Sequence, residues 1–88
     1  METIIKKIIT EIKSGYFFDA HFVISKLVEN YSDNYLSEYS GGSTASYHGY
    51  LAKLIKGFEG TLVEQQVGMS WSKNIHNNYS ECSLWKRI

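Results

Sequence analysis

The segment from Lys73 to Cys82 carries the side chains of this sequence that are best suited to acid–base or nucleophilic chemistry. It reads KNIHNNYSEC and holds a lysine, a histidine, a tyrosine and a cysteine within ten residues. His76 could act as a general base near neutral pH, and a metal-free ribonuclease needs little beyond a histidine, a cation and a tyrosine. A thiol–base pair of Cys82 with His76 would require a contact of about 2.6–3.2 Å. Since a histidine in an asparagine-rich turn is more often a turn residue than a catalyst, the sequence favours a non-catalytic protein over a small ribonuclease.

Metal ligands and cofactor motifs do not occur at their usual spacings. His21, His48, His76 and Cys82 form neither a C-x-x-C pair nor a pair of histidines at zinc-finger spacing. Paired carboxylates, glycine-rich phosphate loops and the G-x-S-x-G motif are also missing from the sequence. We therefore expect neither a metal nor a cofactor.

The composition is typical of one small folded domain. The chain has 88 residues, of which 43% are hydrophobic, and nine basic residues offset nine acidic ones. This length predicts a single domain over residues 1–88, and the zero net charge counts mildly against nucleic acid as a partner. The lone cysteine excludes an internal disulfide, and no apolar run approaches the roughly 18 residues of a membrane span. We expect a cytoplasmic protein that does not contact a membrane.

Hydrophobic spacing predicts three to four helices in residues 1–60. The first carries an isoleucine stripe from Ile4 to Ile12 and is ended by Gly15. A short extended segment follows at residues 16–18, and Asp19 is then a candidate N-cap for a second helix. Ser32 or Asp33 could cap a short third helix. After the break SGGSTAS, Ser43 or Thr44 could cap a fourth, whose core side chains would be Tyr47, Leu51, Leu54, Ile55 and Phe58.

The period of the pattern changes after Gly60. TLVEQQV (61–67) and SLWKRI (83–88) are rich in the residues of β-strands, and residues 68–82 would connect them, with a tight turn at Asn77-Asn78. Trp85 would face the core, with Lys86 or Arg87 outside. The sequence therefore predicts an α+β fold in which three to four helices precede a C-terminal antiparallel β-hairpin.

This order of elements resembles a small winged helix-turn-helix domain. Residues 44–58 match its recognition helix, and GTLVEQQ and SLWKRI match the strands of its wing. The resemblance covers most of the chain as a pattern of elements, without a residue signature. The segment from Tyr31 to Ser43 exceeds the turn of about 3–4 residues in a tight helix-turn-helix. Either an inserted short helix fills it, or residues 32–39 are themselves the helix before the turn.

The resemblance implies a regulator that binds duplex DNA. The start of the recognition helix would enter the major groove, with hydroxyls at base edges or phosphates and lysines at the backbone. Trp71 would either pack the hairpin against the helices or stack on exposed bases of a single strand. Alternatively, all of these residues belong to an ordinary solvated surface. The implied nucleic-acid-binding residues are Thr44, Ser46, Lys53, Lys56, Trp71, Lys73, Asn74 and His76.

A tyrosine-rich stretch around the central break suggests a different kind of partner. Tyrosine is enriched at protein interfaces because its ring is amphipathic. The alternative function is a protein-interaction module, such as an accessory protein of a phage or mobile element, with a homodimer or partner contact through Tyr31, Tyr35, Tyr39 and Tyr50. Alternatively, these rings cap a small core and keep their hydroxyls in water.

Overall fold

The architecture, described by a computed structural model for residues 1–39 and 41–88, is α+β, as the sequence predicts. The helices are α1 (Glu2–Thr10), α2 (Ala20–Asn30), α3 (Ser32–Ser37) and α4 (Thr44–Lys56), and the strands are β1 (Phe17–Asp19), β2 (Val63–Lys73) and β3 (Tyr79–Arg87). Within the described residues, none of these helices has both the length and the apolar character needed to cross a membrane.

The three strands form one antiparallel sheet in the order β1-β3-β2. The short strand β1 pairs with the end of β3, which sets Phe18 opposite Trp85. Strand β2 pairs with β3 along most of its length, as far as Lys73 opposite Tyr79. The sheet therefore joins the chain before α2 to the chain after α4.

The long polar connection expected at residues 68–82 is wrong, because most of this segment is strand. The pairing of β2 with β3 shifts register between Gln65 and Met69, and Gly68 in this bulge has φ +87. Glycine adopts a positive φ at little cost, so Gly68 can form the bulge. Strand β2 therefore continues beyond it. Beyond it, the inward positions of β2 hold serines instead of apolar residues, and the usual signal of a half-buried strand is therefore missing.

The turn between β2 and β3 occupies only residues 74–78. The Asn74 N–H donates to the Asn78 carbonyl oxygen at 2.8 Å, and Asn77 has φ 69. Asparagine tolerates this left-handed conformation better than most residues. A turn therefore lies where one was predicted, but the hydrogen-bonded reverse turn spans residues 74–77, since the Asn77 N–H donates to the Asn74 carbonyl oxygen at 3.0 Å.

Helix ends follow local hydrogen-bonding chemistry. Asp19 Oδ1 accepts from the Phe22 N–H at 2.8 Å, and Ser43 Oγ accepts from the Ser46 N–H at 3.0 Å, so both act as N-caps. The capping of α3 by Ser32 or Asp33 is wrong, since Tyr31 is its N-cap and makes no side-chain cap bond.

The core lies between α1, α2, α4 and the inner side of the sheet. It is built from branched aliphatic side chains and aromatic rings, and Trp85 is only 1% exposed, as predicted. Among the described residues, the Trp85 Nε1 group has no hydrogen-bond partner. The short α3 occupies the segment between α2 and α4 that the sequence left open. Besides Trp85, the fully buried side chains of the core are Ile5, Ile9, Val23, Leu27, Leu51, Ile55 and Val63.

Candidate functional site

Helix α4 presents a continuous exposed face. Ser46, Gly49, Lys53 and Lys56 follow one another at helical spacing and are all exposed, while Tyr47, Leu51 and Ile55 on the other side are buried. Neither lysine forms a salt bridge within residues 1–39 and 41–88. The predicted contact residues of α4 other than Thr44 are therefore open to a partner.

Thr44 is the predicted contact residue of α4 that is half-buried. Its Oγ1 lies 3.1 Å from the hydroxyl oxygen of Tyr39, which also donates to the Gly42 carbonyl at 2.8 Å. This pair holds the start of α4 against the preceding segment. The Thr44 hydroxyl is consequently engaged in local structure.

Trp71 lies on the outer face of the β2–β3 hairpin, which resolves whether it packs inside or outside. Its side chain is 67% exposed and its ring stacks on Tyr79, with centroids 6.3 Å apart and planes at 20°. Lys73 Nζ is 5.9 Å from the centroid of the Tyr79 ring. The hairpin thus carries an exposed pair of aromatic rings with a cation beside it.

Asn74 closes the turn. Its Oδ1 accepts from the backbone N–H groups of His76 at 2.9 Å and Asn78 at 3.2 Å. These bonds fix the backbone of the turn, so Asn74 has a structural role. His76 is exposed, and its backbone is fixed by the same bonds.

The guanidinium of Arg87 is engaged by main-chain carbonyl groups. Its Nε donates to the Ile9 carbonyl at 3.2 Å, and its Nη1 donates to the Leu62 carbonyl at 3.5 Å. The guanidinium therefore ties the end of β3 to α1 and to the start of β2. Lys86 and Arg87 both lie outside the buried core, as expected of one or the other, and each is half-buried.

The three histidines of the chain line one cavity between α2, α4 and the hairpin. The cavity has a volume of about 430 Å³, and His21, His48 and His76 contribute to its wall. The rings of His48 and His76 stack with centroids 5.9 Å apart and planes at 18°. This assembly is invisible in the sequence, because its members come from α2, α4 and the turn.

His48 is half-buried and contacts a buried tyrosine. Its Nε2 lies 2.8 Å from the hydroxyl of the buried Tyr35. Burial lowers the pKa of His48, and the nearby charges of His76 and His21 lower it further. His48 is therefore predominantly neutral at pH 7.

His21 belongs to a polar network on the inner side of the hairpin. Its Nδ1 lies 2.7 Å from Ser72 Oγ, and its Nε2 lies 3.3 Å from Ser80 Oγ. Ser70 Oγ donates to Asp19 Oδ2 at 2.7 Å. Burial raises the pKa of Asp19, but the hydrogen bonds from Ser70, Ser72 and the Phe22 N–H outweigh it, so the pKa lies below its usual value. These serines are the inward residues that conceal the strand pattern of β2.

Cys82 lies beside this network. Burial raises the pKa of its thiol, and the charge of Asp19 adds to this, although the N–H groups of His21 and Ala20 act in the opposite direction. Ligand atoms of Asp19, His21 and Cys82 lie within 4.8 Å of one another, and His76 is not part of this group. Metal sites are recognised in a sequence by short spacings between ligands, and these three residues are up to 63 positions apart. The group therefore could not be identified from the sequence.

The tyrosines of the proposed partner surface differ in accessibility. Tyr35 is buried, Tyr31 and Tyr39 are half-buried, and Tyr50 is 46% exposed. The rings of Tyr35 and Tyr39 pack against Tyr47, with centroids 5.1 and 4.9 Å away. A protein contact through these residues stays a prediction, for which Tyr50 offers the most accessible ring.

A second cavity, of about 580 Å³, lies between α1, α2 and β1. Tyr16 and Phe17 at its edge are 59% and 60% exposed, and Phe22 is 40% exposed. Its lining is mainly apolar and includes Tyr31 of the proposed partner surface. It lies apart from the exposed face of α4.

Comparison with known proteins gives no relative: no protein-family model, curated protein or solved structure matches this chain.

Proposed function

We propose that this protein binds duplex DNA through a single surface, here named the α4–turn surface. It consists of Ser46, Gly49, Lys53 and Lys56 on α4 together with residues 73–78 of the hairpin. The observation that carries the proposal is the stacking of His76 on His48. It places the turn beside the first half of α4, so that a helix and a loop can engage the same ligand.

The topology supports this proposal. A short strand precedes α2 and joins the edge of the β2–β3 hairpin, while α2 packs against α4. This is the arrangement expected of a winged helix-turn-helix domain in which α4 is the recognition helix and residues 74–78 are the wing. The short α3 would then be an insertion between the two helices of the motif.

The charge distribution suggests modest affinity. Lys53, Lys56 and Lys73 are the exposed cations of the α4–turn surface, and Arg87 is bound to main-chain oxygens. Nucleic-acid affinity depends largely on the number of phosphates neutralised. Three lysines on a chain of zero net charge predict binding that is clear at low salt and weak at physiological salt.

The proposal is tested by fluorescence anisotropy with a labelled random-sequence duplex at low salt. The wild-type protein should bind, and the double variant Lys53→Gln/Lys56→Gln should bind at least tenfold more weakly. Lys6→Gln, which removes an exposed lysine of α1, is the matched control and should bind like the wild type. The proposal fails if the wild type does not bind, or if the control loses as much affinity as the double variant.

A second function, RNA cleavage without a metal, is favoured by one specific observation. The rings of His48 and His76 stack with their centroids 5.9 Å apart, and burial of His48 lowers its pKa. Two imidazoles in different environments can serve as base and acid in phosphodiester transesterification. Cleavage of single-stranded RNA should then be lost in both His76→Ala and His48→Ala but kept in Trp71→Phe. Cleavage that survives either histidine substitution would rule this function out.

A further inference from the structure

Three metal-ligating side chains converge where β1, α2 and β3 meet. Asp19 ends β1, His21 lies in the first turn of α2, and Cys82 lies on β3. One ligand atom from each falls within 4.8 Å of the other two, and all three residues are half-buried. We name this group the Asp19–His21–Cys82 cluster.

Regular secondary structure fixes the backbone positions of the Asp19–His21–Cys82 cluster. Asp19 is paired with Leu84 of β3, two residues beyond Cys82, and also caps α2 through the Phe22 N–H. His21 follows within the first turn of that helix. The spacing of the cluster is therefore determined by strand pairing and a helix cap, not by a loop.

The distances between the three ligand atoms are close to those in a tetrahedral metal site. Zinc bonds of about 2.0–2.3 Å to oxygen, nitrogen and sulfur place the ligand atoms roughly 3.3–3.6 Å apart. Ligand atoms within 4.8 Å thus need an inward shift of at most about 1.5 Å. Side-chain rotation supplies a shift of this size without moving the sheet.

We propose that the Asp19–His21–Cys82 cluster binds a divalent cation of the zinc class, with water as the fourth ligand. Thiolate and imidazole select zinc over magnesium and calcium, which prefer all-oxygen shells. One ring nitrogen of His21 binds the ion, and the other keeps a serine hydroxyl as its partner, either Ser72 or Ser80. Such outer partners orient the ligands of metal sites.

Two members of the cluster line the histidine-lined cavity, while Asp19 lines the cavity between α1, α2 and β1. His21 and Cys82 both contribute to the wall of the histidine-lined cavity, together with His48 and His76. Three protein ligands with one open position are typical of zinc sites that exchange their fourth ligand, whereas purely structural sites are closed by four. The ion would therefore be accessible and removable, and the core would fold without it.

Co²⁺ is the probe of choice, because its spectrum reports both thiolate ligation and geometry. Titration of the reduced, chelator-treated protein with Co²⁺ should produce a thiolate charge-transfer band in the near ultraviolet and intense visible bands of a tetrahedral complex. Both should saturate at one equivalent and disappear when Zn²⁺ is added. The absence of saturating bands at one equivalent would overturn the proposal.

Variants separate a three-ligand site from binding by the thiol alone. Asp19→Asn retains an N-cap side chain and should weaken Co²⁺ binding by more than the roughly 10–100-fold typical of losing an outer partner. His21→Asn should weaken it similarly, Cys82→Ser should abolish the charge-transfer band, and Asp33→Asn, at an exposed aspartate of α3, is the matched control that keeps it. Wild-type affinity in Asp19→Asn or His21→Asn would refute the site. Circular dichroism of each metal-free variant establishes that it is folded. None of the three ligands lies on the α4–turn surface, so this result is independent of DNA binding.

Discussion

The salt dependence of DNA binding follows directly from the number of lysines that the fold leaves free. Lys53 and Lys56 lie on the exposed face of α4, and Lys73 lies at the end of β2 next to the turn. Arg87 is excluded because its guanidinium donates to the carbonyls of Ile9 and Leu62. The α4–turn surface therefore offers three cations to phosphates at neutral pH.

The magnitude follows from counterion release. Each neutralised phosphate of B-DNA contributes about −0.9 to the slope of log K against log salt concentration, so three contacts give about −2.7. Raising the salt from about 50 to 200 mM should then weaken binding by about 40-fold. In the Lys53→Gln/Lys56→Gln variant the slope should fall to about −0.9, and the same change of salt should cost only about 3–4-fold.

The assay is anisotropy of a labelled duplex at five or more salt concentrations, with wild type, double variant and Lys6→Gln measured side by side. Lys6→Gln should keep the wild-type slope, since Lys6 lies on α1. A wild-type slope near zero would refute the assignment of these lysines to phosphate contacts. A double variant with an unchanged slope would refute it equally, because the phosphates would then be neutralised elsewhere.

Four further predictions concern stability, each measured by urea denaturation. The Tyr47 hydroxyl donates to the Tyr35 carbonyl at 2.5 Å, so Tyr47→Phe should cost about 0.5–1.5 kcal/mol. Burial, with the charges of neighbouring tyrosines and Glu38, raises the pKa of Tyr47 to about 12; wild-type stability should therefore fall from about pH 10 to 12, and an equal fall in Tyr47→Phe would contradict this. The pKa of His48 is lowered from 6.5 by burial and its histidine neighbours; the unfolded chain then binds the proton more readily, and stability should fall as the pH drops below about 6.5. His48→Gln should reduce this acid loss, and an undiminished loss would assign it to other groups. Ser43→Ala removes the N-cap of α4 and should cost about 1 kcal/mol, whereas a change below about 0.3 kcal/mol would mean that the cap contributes little.

The parts of the fold that depend on local pattern could be predicted from the sequence. The capping of α4 by Ser43 and the burial of Tyr47, Leu51 and Ile55 follow from residue spacing along one helix. The turn at Asn77 follows from the backbone preference of asparagine. Each of these features is determined by residues within about a dozen positions of one another.

Features that depend on tertiary contact could not be predicted. Strand β2 was expected to end before Gly68, because the inward positions beyond it hold Ser70 and Ser72. These serines are paired with Asp19 and His21, so the inner face of the hairpin is polar where a strand pattern would be apolar. The length of β2 is therefore determined by partners about 51 positions away.

The candidate sites show the same division. The exposed face of α4 was identified from periodicity, and Ser46, Lys53 and Lys56 lie where that periodicity places them. The histidine-lined cavity and the Asp19–His21–Cys82 cluster have no signal in the sequence. The residues of each come from separate elements. Strand pairing and helix packing bring them together, and neither can be read from ligand spacing.

Mapping of the bound surface by NMR tests the proposed function at residue level. Amide chemical shifts of the ¹⁵N-labelled protein would be followed while a random-sequence duplex is added at low salt. The α4–turn surface predicts that the largest shifts occur at Ser46, Gly49, Lys53 and residues 73–78, while α1 and β1 change little. Shifts confined to the cavity between α1, α2 and β1, near Tyr16 and Phe22, or no shifts at saturating duplex, would contradict it.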